Sequence, residues 1–188
     1  MKKICVFCGS STGNDPVYSD FTRKLGEYLA RHSISLIYGG GDIGLMGILS
    51  STVMQGGGNV TGIIPEMISE HIPHKNISEL IVVKTMHERK ALMYSMSDAF
   101  ICLPGGIGSL DELIEVYTWL QLGYHSKPVV IINLNGYYNN LIKQFEYMVK
   151  EGFLKETHLS NLIVKENLDN LLIEIFSADI HYHSKWEE

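Results

Sequence analysis

The sequence predicts a three-layer, doubly wound α/β sandwich on a mainly parallel sheet of about seven strands. Two observations predict it. Short β-branched runs stand at 4–8, 34–38, 60–64, 81–83, 99–103, 129–132 and 162–164. They are almost continuously apolar, as strands covered on both faces must be. Between them, 17–31, 43–55, 86–96, 110–122 and 137–150 place apolar residues at helical spacing, and 167–176 closes the series. Strand and helix in alternation give a Rossmann-like sheet with helices on both sides. No repeat or linker divides residues 1–188, so one nucleotide-binding α/β domain is expected. The stretch 65–78 is the longest irregular piece and is read as a functional loop.

Composition narrows the function classes. With 45% hydrophobic residues in 188, the chain can bury a substantial core. A formal charge of −6 argues against a nucleic-acid partner, which requires a broad basic surface. No apolar run is long enough for a bilayer, so no membrane partner is expected. Met1-Lys2-Lys3-Ile4 opens like a signal peptide, but the run ends at Gly9 without a small-residue cleavage pattern, and a cytosolic protein is expected. The three cysteines do not suggest a disulfide framework; Cys5 and Cys8 lie within a strand-like run and are read as buried thiols. The eight histidines show no metal-binding spacing.

In a parallel sheet the ligand lies beyond the carboxyl ends of the strands, so the strand-to-helix turns should carry the chemistry. After the first strand, Gly9-Ser10-Ser11-Thr12-Gly13 suits a phosphate or ribose contact, and equally an ordinary loop. After the second, Gly39-Gly40-Gly41-Asp42-Ile43-Gly44 matches Gly-x-Gly-x-x-Gly. That pattern suggests a dinucleotide, but it follows the wrong strand and lacks the expected acidic ribose ligand; close backbone approach explains it as well.

After the fifth strand, Pro104-Gly105-Gly106-Ile107-Gly108-Ser109 frees the backbone to curl around an anion at a helix N-terminus. A phosphoryl-transfer loop would need Gly-Lys-Ser/Thr, so this loop should bind phosphate without moving it. Ser109 and Glu112 have capping-box spacing, which by itself accounts for Glu112. Thr85 and Glu88 have the same spacing, while Arg89 and Lys90 crowd the first turns of that helix against its macrodipole. An anion in the neighbouring crevice would justify those cations; a surface salt bridge would too. Asp98 is read as a structural hydrogen-bond partner.

These residues together resemble the Lonely Guy (LOG) type phosphoribohydrolases, often labelled lysine decarboxylases. The resemblance spans nearly the whole chain. It is carried by Phe7-Cys8-Gly9-Ser10-Ser11, Tyr38-Gly39-Gly40-Gly41 with Gly44-Leu45-Met46-Gly47, Met86-His87-Glu88-Arg89-Lys90, the loop 104–109 with Glu112, and Thr118-Trp119 with Gln121-Leu122-Gly123. It implies that Arg89 and Glu112 are the catalytic pair and that Gly105, Gly106, Ile107, Gly108 and Ser109 hold a 5′-phosphate. Ser10, Gly40, Gly41, Lys90 and Thr118 are then expected at the substrate. It further implies a homodimer with active sites near the subunit interface, a purine nucleoside 5′-monophosphate as substrate, and no cofactor. Two positions depart from the family pattern: Ser109 replaces the usual Thr, keeping the hydroxyl, and His71 stands about where the family places a glutamate, beside Glu70.

On this reading Glu112 stabilises the oxocarbenium character that develops as the base leaves and orients or deprotonates water, while Arg89 orients the nucleotide. Two alternatives use the same loops: a nucleotide-binding or carrier module without hydrolysis, and an NAD-dependent oxidoreductase. A true decarboxylase would need a pyridoxal phosphate lysine, for which there is no motif.

Overall fold

The computed structural model describes residues 1–71 and 76–180. Seven strands run in chain order as β1 (Lys3–Phe7), β2 (Ser35–Tyr38), β3 (Val60–Pro65), β4 (Glu79–Val83), β5 (Ala99–Cys102), β6 (Val129–Ile132) and β7 (Leu162–Lys165). All neighbours pair in parallel, in the order β4-β3-β2-β1-β5-β6-β7. Two-residue periodicity divides the core between the faces. Ile4, Val6, Leu36 and Ile101 point to one side with Leu25, Leu49 and Ile175, whereas Cys5, Phe7, Ile37 and Phe100 point to the other with Met93, Leu113 and Phe145.

The helices are α1 (Pro16–Arg31), α2 (Gly44–Gln55), α3 (Glu66–Ser69), α4 (Met86–Met96), α5 (Ile107–Gln121), α6 (Asn139–Lys150), α7 (Glu156–Leu159) and α8 (Leu171–Ser177). Helices α1, α2 and α8 supply the first core face, and α4, α5 and α6 the second. The starts of α1 and α4 are fixed locally. Asp15 accepts from Val17 N at 2.9 Å ahead of Pro16, and Thr85 and Glu88 form the expected reciprocal box. Asp98 accepts from the Lys3 amide at 2.8 Å, tying the start of β1 to β5.

Four expectations need correction. The segment 65–78 is not wholly irregular, since it contains α3, and β4 starts two residues before the expected 81. Helix α5 begins at Ile107 rather than 110, with Gly106 as its N-cap. Ser109 is therefore the third helical residue, no side-chain cap is made, and the capping box with Glu112 does not exist.

Sheet order fixes the crevice. On one side of β1 the chain progresses outward through β2, on the other through β5, so the turns after β1 and β5 diverge and leave a gap between them.

Candidate active site

One wall of the gap is the start of α5. Leu110 N makes the first helical bond, to Gly106 O at 3.2 Å, so the amides of Ile107, Gly108 and Ser109 have no partner within the helix. They and the helix dipole favour negative charge there. A methyl group added to Gly106 or Gly108 would meet no atom within 4 Å, so packing does not require either glycine. Gly105 differs, because a methyl there would lie 2.2 Å from Ser109 Oγ.

One helical turn on, Glu112 meets Arg89 from α4. Arg89 Nη1 donates to Glu112 Oε1 at 2.7 Å, and Arg89 Nε donates to the Ile63 carbonyl at 3.0 Å. The guanidinium is thus fixed at two points, at the end of β3 and on α5. Gly39 makes room for it: a methyl at Gly39 would sit 2.0 Å from Arg89 Nη2. Glu112 is only 8% exposed. Burial pushes its carboxyl above the usual carboxylate range, and the Arg89 guanidinium opposes that rise.

Both side chains line a cleft of about 340 Å³ together with Ser10, Gly41 and the helix start Gly106–Ser109. Ile43, Met46, Ile68 and Met86 give it apolar walls. Cys8 also lines it, but burial pushes that thiol well up, so it stays protonated and is not a nucleophile. A second chamber of about 250 Å³ adjoins it, sharing Ser10 and Gly106 and walled by Tyr18 and Tyr137.

The glycines after β2 have packing reasons. Gly40 (φ +74°) and Gly44 (φ +61°) are left-handed, and a methyl at Gly44 would strike the Ser10 backbone at 2.3 Å. The Gly-x-Gly-x-x-Gly match records this close approach of two turns. Among the described residues no cluster of His, Cys, Asp or Glu could hold a metal, and no helix is long and apolar enough to cross a membrane.

A family model described as "possible lysine decarboxylase" matches residues 46–175. The chain is 50% identical over 157 residues to the cytokinin riboside 5′-monophosphate phosphoribohydrolase LOG1 of Arabidopsis thaliana, covering 83% of this chain and 74% of that protein. It is 44% identical over 185 residues to the probable enzyme of the same name, LOGL3, of Oryza sativa subsp. japonica, covering 98% and 87%. The chain belongs to the LOG family. The fold is shared more widely. The molybdenum cofactor binding protein of Rippkaea orientalis superposes with a TM-score of 0.71 at 21% identity, covering 94% of this chain and 97% of that one.

Not every residue matched to the LOG pattern lies in the cleft. Lys90 does not line it; its ammonium bridges Asp111 at 3.1 Å and Glu115 at 2.9 Å, stapling α4 to α5. Partial burial disfavours that charge, but the two carboxylates outweigh it and raise the ammonium above the usual lysine range. Tyr94 Oη donates to the same Glu115 at 2.7 Å, so the staple reaches the core. Both cations crowding α4 are in ion pairs, Lys90 away from the cleft and Arg89 with Glu112 in the cleft wall. Thr118 is exposed on α5, beyond Ile107 and Ile114 on the outward face. His71 is exposed and pairs through Nδ1 with Met67 O at 2.8 Å; neither it nor Glu70 lines the cleft, where α3 contributes Ile68.

Proposed function

We propose that this chain hydrolyses the N-glycosidic bond of a purine nucleoside 5′-monophosphate, of the cytokinin riboside type acted on by its named relatives, giving free base and ribose 5-phosphate. One observation carries the site assignment: an open helix start and an anchored Arg89–Glu112 pair share one wall of one cleft. Glu112 follows Ile107 by five positions, about 7.5 Å along a helix, a reach comparable to a ribose 5-phosphate from phosphorus to anomeric carbon. The phosphate sits on the amides of 107–109 with Gly106 beside it, Ser10 and Gly41 border the sugar, and the apolar walls take the base; Gly105 lines only the adjoining chamber, and Gly40 packs against Ile63 and Ile64 and does not line the cleft.

As the bond between base nitrogen and anomeric carbon lengthens, Glu112 faces the cationic sugar. Water adds to that carbon; one proton stays on the new hydroxyl and the other passes by way of Glu112 towards the departing base. Arg89 holds the carboxylate in place, and the phosphate grip supplies alignment from a part of the substrate that does not react. The decarboxylase description fits poorly, since a Schiff base starts from a neutral lysine amine and Lys90 is held as an ammonium between two carboxylates.

A cytoplasmic homodimer completes the reading. Ile107 is 82% exposed at the cleft mouth, where Met86 of α4 lines the same cleft and Ile114 lies two turns further along α5, an apolar edge that a second copy would cover. Such a copy would also bring protein against Thr118. Incubating the purified protein with AMP, adenosine and an N6-modified AMP tests the reading: base should be released from the monophosphates and not from adenosine, by a particle sedimenting as two chains. Equal release from adenosine would remove the phosphate cradle from the reading.

Gly108 supplies a separate test. Glycine within a helix costs up to about 1 kcal/mol against alanine, and here no contact demands it. Gly108→Ala should therefore raise the melting temperature while weakening AMP binding, because its methyl occupies the space the phosphate needs. A variant that is more stable and binds AMP as before would place the phosphate elsewhere.

A further inference from the structure

The amides at the head of α5 can face an anion only if the carbonyls of the same loop face away from it. Each of those carbonyls has a donor behind it. Leu103 O accepts from Tyr138 Oη at 2.8 Å, Pro104 O from Gly9 N at 3.3 Å, and Gly105 O from Tyr137 Oη at 2.7 Å. Gly106 O accepts from Leu110 N as the helix begins. The bond to Gly105 is the one next to the proposed phosphate seat. No cis peptide occurs in the described chain, so the Gly105–Gly106 unit is trans and its carbonyl and its N–H point in opposite directions.

We infer that Tyr137 is a positioning residue for the phosphate cradle: by holding the Gly105 carbonyl on the side of the tyrosine-walled chamber, it turns the Gly106 amide towards the cleft. The tyrosine is itself placed by a turn built for the purpose. Asn135 (φ 48°) and Gly136 (φ 72°) are both left-handed, and a methyl at Gly136 would lie 2.4 Å from Asn139 Nδ2. Asn133 braces the turn, accepting from Tyr138 N at 2.7 Å and donating to Asn139 Oδ1 at 2.8 Å. The Tyr137 ring is gripped edge-on by Tyr138 at 4.9 Å and by Tyr18 at 5.7 Å. Glycines at 105 and 106 make the loop easy to flip, and this clamp removes that freedom before any ligand arrives.

The inference rests on the phosphate reading above, and its test separates the two. Tyr137→Phe deletes one oxygen from a half-exposed ring, so the fold and melting temperature should hold. One neutral hydrogen bond corresponds to a change of about five- to tenfold. The KM for AMP should rise by that factor and inhibition by inorganic phosphate should weaken by the same factor, while kcat stays within about twofold. Tyr138→Phe, which unpins Leu103 instead, should shift KM in the same sense. Unchanged KM and unchanged phosphate inhibition in Tyr137→Phe would overturn the inference while leaving wild-type turnover intact. If the wild type released no base, the hydrolase reading would fail, and phosphate protection against thermal unfolding, compared between wild type and Tyr137→Phe, would still decide the role of Tyr137.

Discussion

Glu112→Gln should fold, bind AMP with little change in KM and lose about 10³-fold in kcat, the scale expected when a general base and a preorganised charge are removed together. Glutamine keeps the length of the side chain and an oxygen that can accept from Arg89 Nη1, so the contact between α4 and α5 survives in neutral form. It cannot stabilise a cationic sugar or take a proton from water. The stability change should be small, because Arg89 loses a charged partner but keeps the Ile63 carbonyl, while the cost of burying the Glu112 charge is relieved. The proposed phosphate seat lies a turn away on α5 and is untouched, which is why the loss should appear in kcat rather than KM. Steady-state kinetics beside a thermal melt check this. A folded Glu112→Gln protein turning over at the wild-type rate would leave the carboxylate with a purely structural role.

Much of the fold was legible because its signals are local. The strands of a sheet covered on both faces are apolar runs, and residues 86–96 begin with a capping box that the structure reproduces residue for residue. Four-residue helices such as α3 and α7 are too short to show a period and were missed. Strand order is not a local property, and it is the reversal at β1 that places the cleft.

The site was legible only in part for the same reason. Gly108 makes the first turn of α5 read as loop, which moves the apparent helix start to Leu110, with Ser109 as its cap, and gives Glu112 a capping role it does not have. Its partner is Arg89, 23 residues earlier and on another helix. The LOG resemblance, not spacing, joined them. Spacing gives Tyr137 no site role, because it falls at the head of the helical pattern 137–150, whereas α6 starts at Asn139. The Asn135-Gly136 dipeptide just before Tyr137 is a turn signal, but nothing in spacing shows a hydroxyl meeting a carbonyl 32 residues back.

Arg89→Ala should reduce kcat/KM by at least about 10²-fold, and it should also move the acid limb of the pH profile to higher pH. The direction follows from the two influences on Glu112. Burial raises its carboxyl and Arg89 holds that rise in check, so without the guanidinium the rise is unopposed. On the proposed mechanism activity needs the ionised carboxylate, so in the wild type it should climb as pH passes through a value already above the ordinary range for glutamate, and in Arg89→Ala only at higher pH still. Stability runs the other way. Between the unfolded and the raised folded pKa, the native protein holds a proton that the unfolded chain has released, so stability attributable to neutral Glu112 is full below the unfolded value and is lost as pH rises through the folded one. Charging Glu112 therefore switches on chemistry and costs stability over the same window, and removing Arg89 should widen that window. Arg89→Lys should behave as an intermediate, because one ammonium cannot span Ile63 O and Glu112 Oε1 as the guanidinium does. The kcat/KM profile measures the limb, and where turnover is too low, a ¹³C titration of the Glu112 carboxyl reads the same shift directly. A limb that stayed in place or moved down in Arg89→Ala would mean that the ion pair at 2.7 Å does not govern the carboxylate, and the division of labour assigned to this pair would be wrong.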